Sequence, residues 1–378
     1  MPEDQKITII GLGLIGGSIG LGLKAAAGTS AVRIVGHDRE RPAEHQAQKI
    51  GAIDKGEHNL PRAVQGARMV IIATPVLSVR EVMEQIAPGL EEGAVVTDTA
   101  STKASVMGWA RDLLPARVSF VGGHPMAGKE NQGIGNAQAD LFRDRAYCIC
   151  PSLGATPDSI KSVMGLAYAL GANPLFIDPD EHDMYAAAVS HLPLMISTAL
   201  FHLLRASPSW DDMGQMASTG FRDLTRLASG DPQMSHDIWV TNREAIIHWL
   251  DRMMDELKVM RDQLKDARDE ALLETFARAH LERERFLQNP PRRVREPLPA
   301  PKEGAPNVLD MLVGGMLADR MRRVQRMPEL MREAAHAREG EEGRPSRVEK
   351  MAEDIRRDLE KLEGKRRQRE GGENAPEA

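Results

Sequence analysis

The chain has 378 residues, 42% of them hydrophobic and 28% charged, which implies two or three domains with a real core and excludes collagen-like, disulfide-scaffold and wholly disordered chains. Its 49 lysines and arginines stand against 55 acidic residues, a net charge of −6, so a surface built for nucleic acid or anionic lipid is not expected. No uninterrupted apolar run approaches the roughly 20 residues of a bilayer-spanning helix. The start Met1-Pro2-Glu3-Asp4 is the reverse of a basic signal-peptide start, and a cytoplasmic protein with no membrane partner is expected.

Through residue 150, short apolar runs alternate with helical or turn-rich stretches, the pattern of repeated βα units. Strands are expected at 7–10, 33–36, 69–73, 94–97, 119–121 and 146–150. Several lack polar alternation, as parallel strands buried on both faces do. Residues 1–152 therefore read as a Rossmann-type, doubly wound parallel sheet of the α/β class. Cys148 and Cys150 alternate along the last of these strands, too close for an easy disulfide and without partner ligands for zinc. They read as reduced packing residues.

From Thr156 the apolar residues recur at helical spacing, apart from a short strand at 174–177, so residues 153–288 are expected to form an all-helical domain. Residues 180–206 read as one long apolar helix, bent near Pro193. Farther on, Ile246, Leu250, Met253, Leu257, Met260 and Leu264 follow a heptad-like spacing. That seam fits either a core helix or a helix–helix dimer interface. Residues 289–306 hold a Pro- and Arg-rich cluster that reads as an extended linker. Beyond it, 308–336 has an amphipathic helical pattern, and after Gly340 mixed charges dominate; the whole of 289–378 is expected to be a linker and a partly helical or disordered tail.

Gly11-Leu12-Gly13-Leu14-Ile15-Gly16 follows the first strand and opens a helix, the setting in which glycines bring a pyrophosphate against backbone N–H groups. Asp38 ends the second strand, where a carboxylate binds the ribose hydroxyls. Arg39 beside it can receive a 2′-phosphate that Asp38 repels, so NAD is favoured over NADP. Thr74-Pro75, Asp98-Thr-Ala-Ser101-Thr-Lys103 and Gly122-Gly-His124-Pro-Met-Ala-Gly128 also follow strands, and in an open parallel sheet such loops share the carboxyl edge where ligands bind. His124 lies at that edge, and an imidazole near neutrality suits removal of a hydroxyl proton during hydride transfer. No metal cluster is visible.

Taken in order, Gly11-Leu-Gly-Leu-Ile-Gly-Gly-Ser18, Asp98-x-x-Ser101-x-Lys103, Gly123-His-Pro-Met-Ala-Gly128, Ser190-His-Leu-Pro193 and Gly220-Phe-Arg-Asp-Leu-Thr-Arg226 resemble the motifs of the prephenate/arogenate dehydrogenase family of tyrosine biosynthesis. The likeness covers residues 6–286. It implies NAD-dependent oxidative decarboxylation of prephenate to 4-hydroxyphenylpyruvate, with arogenate to tyrosine as the alternative, in a homodimer held by the helical domain. By the same resemblance His124 is the base for the ring hydroxyl and Ser101 orients that hydroxyl or the imidazole. Arg226 holds a substrate carboxylate, His191 shares the pocket, and Glu130 with Asp223 forms an ionic gate around Arg226. Two positions depart from many members: Leu194 stands where a second histidine follows the Ser-His-Leu-Pro segment, and Ser235 where a tryptophan follows Asp231-Pro-Gln-Met234. Both bear on the choice between the two substrates. A β-hydroxyacid dehydrogenase lacks the Gly-His-Pro-Met-Ala-Gly loop, and a non-catalytic NAD sensor needs none of His124, Ser101 and Arg226.

Overall fold

Hydrophobic side chains alternate across the strands in a way that buries both faces of one sheet. In this computed structural model, which describes residues 5–27, 32–129 and 131–290, Met69 and Ile71 enter one apolar cluster with Ile7, Ile9 and Ile34, while Val70 and Ile72 enter a second with Ile10, Val96 and Phe120. Each such fully buried side chain contributes about 1.5–3 kcal/mol, and a strand apolar on both faces is stable only with helices on both sides. Thr8 is a fully buried polar residue in β1, and its hydroxyl donates to the Ala63 carbonyl at 2.7 Å. Glu130 and the linker, amphipathic helix and tail expected beyond residue 290 lie outside the described residues.

The strands are β1 (Gln5–Ile10), β2 (Val32–His37), β3 (Lys55–Gly56), β4 (Met69–Ile72), β5 (Val95–Asp98), β6 (Ser119–Pro125), β7 (Ala146–Pro151) and β8 (Asn173–Phe176), in the order β3-β2-β1-β4-β5-β6-β7-β8. Between them run α1 (Leu14–Ala27), α2 (Arg41–Lys49), α3 (Leu60–Val64), α4 (Val76–Ile86), α5 (Ala104–Leu113) and α6 (Pro157–Ala169). The order reverses between β1 and β4, which opens a crevice outside the strands' carboxyl ends. Two expectations change. The sheet is not wholly parallel, because β7 runs antiparallel to β6, with His124 opposite Cys148. It also runs past the 152/153 boundary, since β8 pairs with β7 and α6 packs beneath it, so the helical part starts after Phe176. Cys148 and Cys150 are free and buried as expected, and burial pushes their thiols up to about 11 and about 12.

The helical part comprises α7 (Pro179–Ala186), α8 (Leu192–Arg205), α9 (Trp210–Gln215), α10 (Thr219–Thr225), α11 (Pro232–Thr241), α12 (Arg243–Lys265) and α13 (Asp269–Gln288). A π turn over Ala187–His191 joins α7 to α8, with the Leu192 N–H donating to the Ala187 carbonyl. Pro193 has no N–H to donate to the preceding turn, and the π turn lies immediately before it. The stretch Pro179–Arg205 is 27 residues with a mean hydropathy of 1.5 in its most apolar window. By length and composition it is long and apolar enough to cross a membrane, as core helices of soluble proteins also are; its apolar runs are short, and it carries the buried polar side chains His182, Asp183, His191 and Ser197.

Among the described residues the chain divides after Arg252. In the second unit Gln263 Nε2 donates to Thr275 Oγ1 at 3.5 Å between the remainder of α12 and α13. Along the heptad-like seam Ile246 is 2% exposed, whereas Leu257 and Leu264 are 53% and 66% exposed.

Candidate active site

The turn after β1 is shaped by what its glycines must clear. Gly11 has φ +91°, and a Cβ there would stand 2.5 Å from the Ala73 carbonyl; one at Gly16 would stand 1.9 Å from the Gly11 carbonyl. At Gly13 a Cβ would meet nothing within 4 Å, so the backbone there is open to a ligand. Leu14 and Ile15 begin α1, whose first N–H groups have no partners within the helix. Leu12 acts differently from its neighbours: its side chain is fully buried and its N–H donates to Asp38 Oδ2 at 2.7 Å. It braces the loop from behind.

Asp38 Oδ1 also accepts from the Glu40 N–H at 2.9 Å. The exposed Arg39 side chain lies 3.8 Å from Glu40. Beside Gly11, Thr74 Oγ1 is buried with no partner, and Pro75 leads into α4. An open backbone, a fixed carboxylate and an orphaned hydroxyl along one edge fit a dinucleotide. His37, Glu44 and His58 bring potential metal-ligand atoms within 4.8 Å, a cluster the sequence reading did not see. Their atoms already serve hydrogen bonds: Glu44 Oε1 accepts from the Asp38 N–H at 3.1 Å and faces His58 Nδ1 at 3.2 Å, while His37 Nδ1 is 3.1 Å from the Glu57 carbonyl.

Across the same edge His124 is 8% exposed near the end of β6. Its Nδ1 is 2.8 Å from His182 Nε2, and His182 Nδ1 is 2.8 Å from Asp183 Oδ1. Burial first, then the neighbouring His182, Lys103 and His191, hold the His124 pKa well below the ordinary imidazole range. The ring is therefore an unprotonated base at neutral pH. Asp183 is itself placed by a helix end: Lys103, at the N-cap of α5, makes no side-chain cap, and Asp183 accepts from the N–H groups of Lys103 and Ala104 at 2.7 and 2.9 Å. At α4, where Pro75 cannot cap, Asp237 of α11 accepts from the Leu77 N–H at 3.3 Å. Two carboxylates of the helical part thus cap two helices of the sheet. The Lys103 ammonium is fully buried against Asp98, whose other oxygen accepts from the Gly123 N–H at 3.1 Å.

His191 is 1% exposed and its Nδ1 is 3.1 Å from Asn242 Nδ2. That amide nitrogen also donates to the Asp183 carbonyl at 2.7 Å, which fixes it as the donor. His191 Nδ1 must then accept, leaving the proton on Nε2, which is buried without a partner. Burial, only partly opposed by Asp183, pushes its pKa down to about 4, so it is a neutral N–H donor at physiological pH. Ser101 is half-buried in the loop between β5 and α5, but among the described residues no hydrogen bond joins its hydroxyl to His124. The group within hydrogen-bond distance of the imidazole Nδ1 is His182. Asp223 and Arg226 are exposed, the first on α10 and the second at the start of the short turn Arg226–Ser229. That turn is tied to α8 by the Ala228 N–H donating to Ser197 Oγ at 3.1 Å.

The family model for the prephenate dehydrogenase nucleotide-binding domain matches residues 19–174, and that for the prephenate dehydrogenase dimerization domain matches 178–278. The chain belongs to the prephenate dehydrogenase family. It is 34% identical over 277 residues to prephenate dehydrogenase of Bacillus subtilis, covering 73% of this chain and 74% of that one. Its fold is similar to the Aquifex aeolicus prephenate dehydrogenase in complex with hydroxyphenyl propionate and NAD+, with a TM-score of 0.70 at 27% identity over 75% of this chain and 98% of that one. It is also similar to Synechocystis arogenate dehydrogenase, with a TM-score of 0.64 at 27% identity, covering 75% of this chain and all of that one. The boundary between the two family models, at 174–178, coincides with the end of the sheet at Phe176.

Among these site residues, His182, Asp183 and Asn242 were missed in the sequence. Asp178-Pro-Asp-Glu-His-Asp183 has the composition of a helix start, with Asp178 as a real N-cap, and that pattern hid two further polar residues aimed at the sheet. Their one visible signal is a His-Asp pair entering an otherwise apolar helical run.

Proposed function

We propose that this chain is an NAD-dependent prephenate dehydrogenase, which oxidises the ring alcohol of prephenate and releases the ring carboxylate as CO2 to give 4-hydroxyphenylpyruvate in tyrosine biosynthesis. The observation that carries this reading is a buried, unprotonated His124 at the carboxyl edge that also bears the dinucleotide turn, in a chain of this family. Bound NAD+ supplies the hydride acceptor. The turn Gly11–Gly16, Asp38, Thr74 and Pro75 hold the dinucleotide: open N–H groups at Gly13, Leu14 and Ile15 for the pyrophosphate, and Asp38 for the ribose.

His124 Nε2 accepts the ring hydroxyl proton as the carbinol hydrogen leaves with its electron pair. The carbon–carboxylate bond then breaks, its electrons complete the aromatic ring, and His124 returns the proton to the phenolic oxygen. Ser101 orients the substrate hydroxyl. Arg226 binds a substrate carboxylate, a charge-assisted contact of about 1.5–3 kcal/mol, and Asp223, three positions before it in sequence, is its acidic counterpart. His191, with its Nε2–H unpartnered, donates to a substrate oxygen.

Leu194 is buried on α8, and the Ser235 hydroxyl turns back onto the Asp231 carbonyl at 2.8 Å. Neither offers a donor or a bulky wall for the side chain that distinguishes prephenate from arogenate, which supports measurable arogenate oxidation as a second activity. Val189 and Leu203, 70% and 71% exposed, leave an apolar surface on the 179–205 stretch. A matching dimerization-domain model supports covering it with a second copy in a cytoplasmic homodimer. A four-way comparison of NADH or NADPH formation from prephenate or arogenate with NAD or NADP tests the assignment. Prephenate with NAD should be fastest; turnover of neither substrate refutes it.

A further inference from the structure

The hydrogen-bond chain behind His124 has a direction. Asp183 already accepts two backbone N–H groups at the start of α5, and an ionised carboxylate can only accept, so the ring facing it must donate. His182 therefore carries its proton on Nδ1, 2.8 Å from Asp183 Oδ1. Its Nε2 is left as an acceptor, and the only group within hydrogen-bond reach among the described residues is His124 Nδ1 at 2.8 Å. His124 must in turn donate from Nδ1, which leaves its Nε2 lone pair as the base. One carboxylate thus sets the tautomer of two rings in series. All three side chains are buried, His182 at 2% and Asp183 at 4% exposure, so water does not compete for these positions.

We infer that His182 is a positioning residue for the dehydrogenase reaction, holding His124 in its Nδ1–H tautomer through Asp183 and receiving part of the charge when His124 takes up the substrate proton. This rests on the reading of His124 as the base. Without an acceptor at Nδ1 the proton of the neutral His124 ring is free to move to Nε2, where it blocks the attack on the hydroxyl proton. The structure contains a reason for the device: burial first, then His182, Lys103 at the N-cap of α5 and His191 on the π turn lower the His124 pKa, and Cys148 opposite it on β7 holds its thiol neutral at about 11, so none of these neighbours by itself stabilises the imidazolium. Asp98 is engaged by Lys103. Asp183, reached through His182, is the anion available to the imidazolium formed in the reaction.

The test compares His182→Leu with His182→Gln in the full-length chain, because the glutamine amide oxygen can still accept from His124 Nδ1 whereas leucine cannot. Expected for His182→Leu is a fall in kcat of about 10²-fold, with the KM for prephenate and the dissociation constant for NAD within about threefold of the parent. His182→Gln should recover at least about tenfold of that loss. If His182→Leu does not fold, His182→Met replaces it, filling similar volume without a polar atom. A kcat for the leucine or methionine variant within threefold of the parent overturns the inference, as does an equal loss in the glutamine variant accompanied by loss of NAD affinity. Parent protein and His124→Asn are run alongside: an inactive parent contradicts the proposed function itself, whereas an active parent, an inactive His124→Asn and an unimpaired His182→Leu contradict the inference alone.

Discussion

Asp38 divides its carboxylate between the N–H groups of Leu12 and Glu40, and Glu44 holds its own N–H from behind. A negative charge fixed in this way at the end of β2 repels a 2′-phosphate, while Arg39 leans toward Glu40. Asp38→Ser should lower kcat/KM with NAD and raise the NADP-to-NAD ratio by about tenfold, the equivalent of about 1.4 kcal/mol, as read from steady-state kinetics with both cofactors. An unchanged ratio would mean that Asp38 only braces the glycine turn. His191 makes a different prediction. Its folded pKa of about 4 lies below the ordinary 6.5, so the unfolded chain binds its proton more readily and stability falls as pH drops from about 6.5 toward 4. At pH 5 this group alone removes about 2 kcal/mol relative to pH 7, and His124, lowered in the same sense, adds to it. Urea midpoints at the two pH values should drop less for His191→Gln than for the parent.

Among the elements, the interior strands were the most legible. Met69-Val-Ile-Ile72 is apolar on both faces, and only a strand between two layers of helix can bury it. The direction of β7 was not legible, since Ala-Tyr-Cys-Ile-Cys-Pro151 reads equally well either way; its reversal depends on how the loop from β6 returns. Lys55–Gly56 is too short and polar to announce itself as β3. The caps of α4 and α5 were equally hidden, because Pro75 and Lys103 supply none and the carboxylates come from residues 237 and 183, far along the chain. Asp237 is 1% exposed and its other oxygen accepts from Gln233 Nε2 at 2.6 Å. Asp237→Ala should cost about 1–3 kcal/mol, seen as a lower Tm with NAD affinity retained, and an unchanged Tm would remove this cap from the account.

For the molecule as a whole, the glycine turn and His124 stood out in the sequence because their neighbours carry strong local patterns, and His191 was named through the family resemblance. The relay behind His124 did not stand out, because its members lie 58 positions apart on β6 and α7 and meet only when the helical part packs against the sheet. What the fold adds to the motifs is therefore the electrostatic state of the base: buried, neutral and directed. The central claim is that this base performs prephenate oxidation with NAD, and His124→Asn tests it most directly. Prephenate turnover and NAD binding are measured on the parent and the variant at neutral pH. The account predicts an NAD dissociation constant within about threefold of the parent and a kcat lower by about 10²–10⁴-fold; a variant that turns prephenate over at the parent's rate would contradict it.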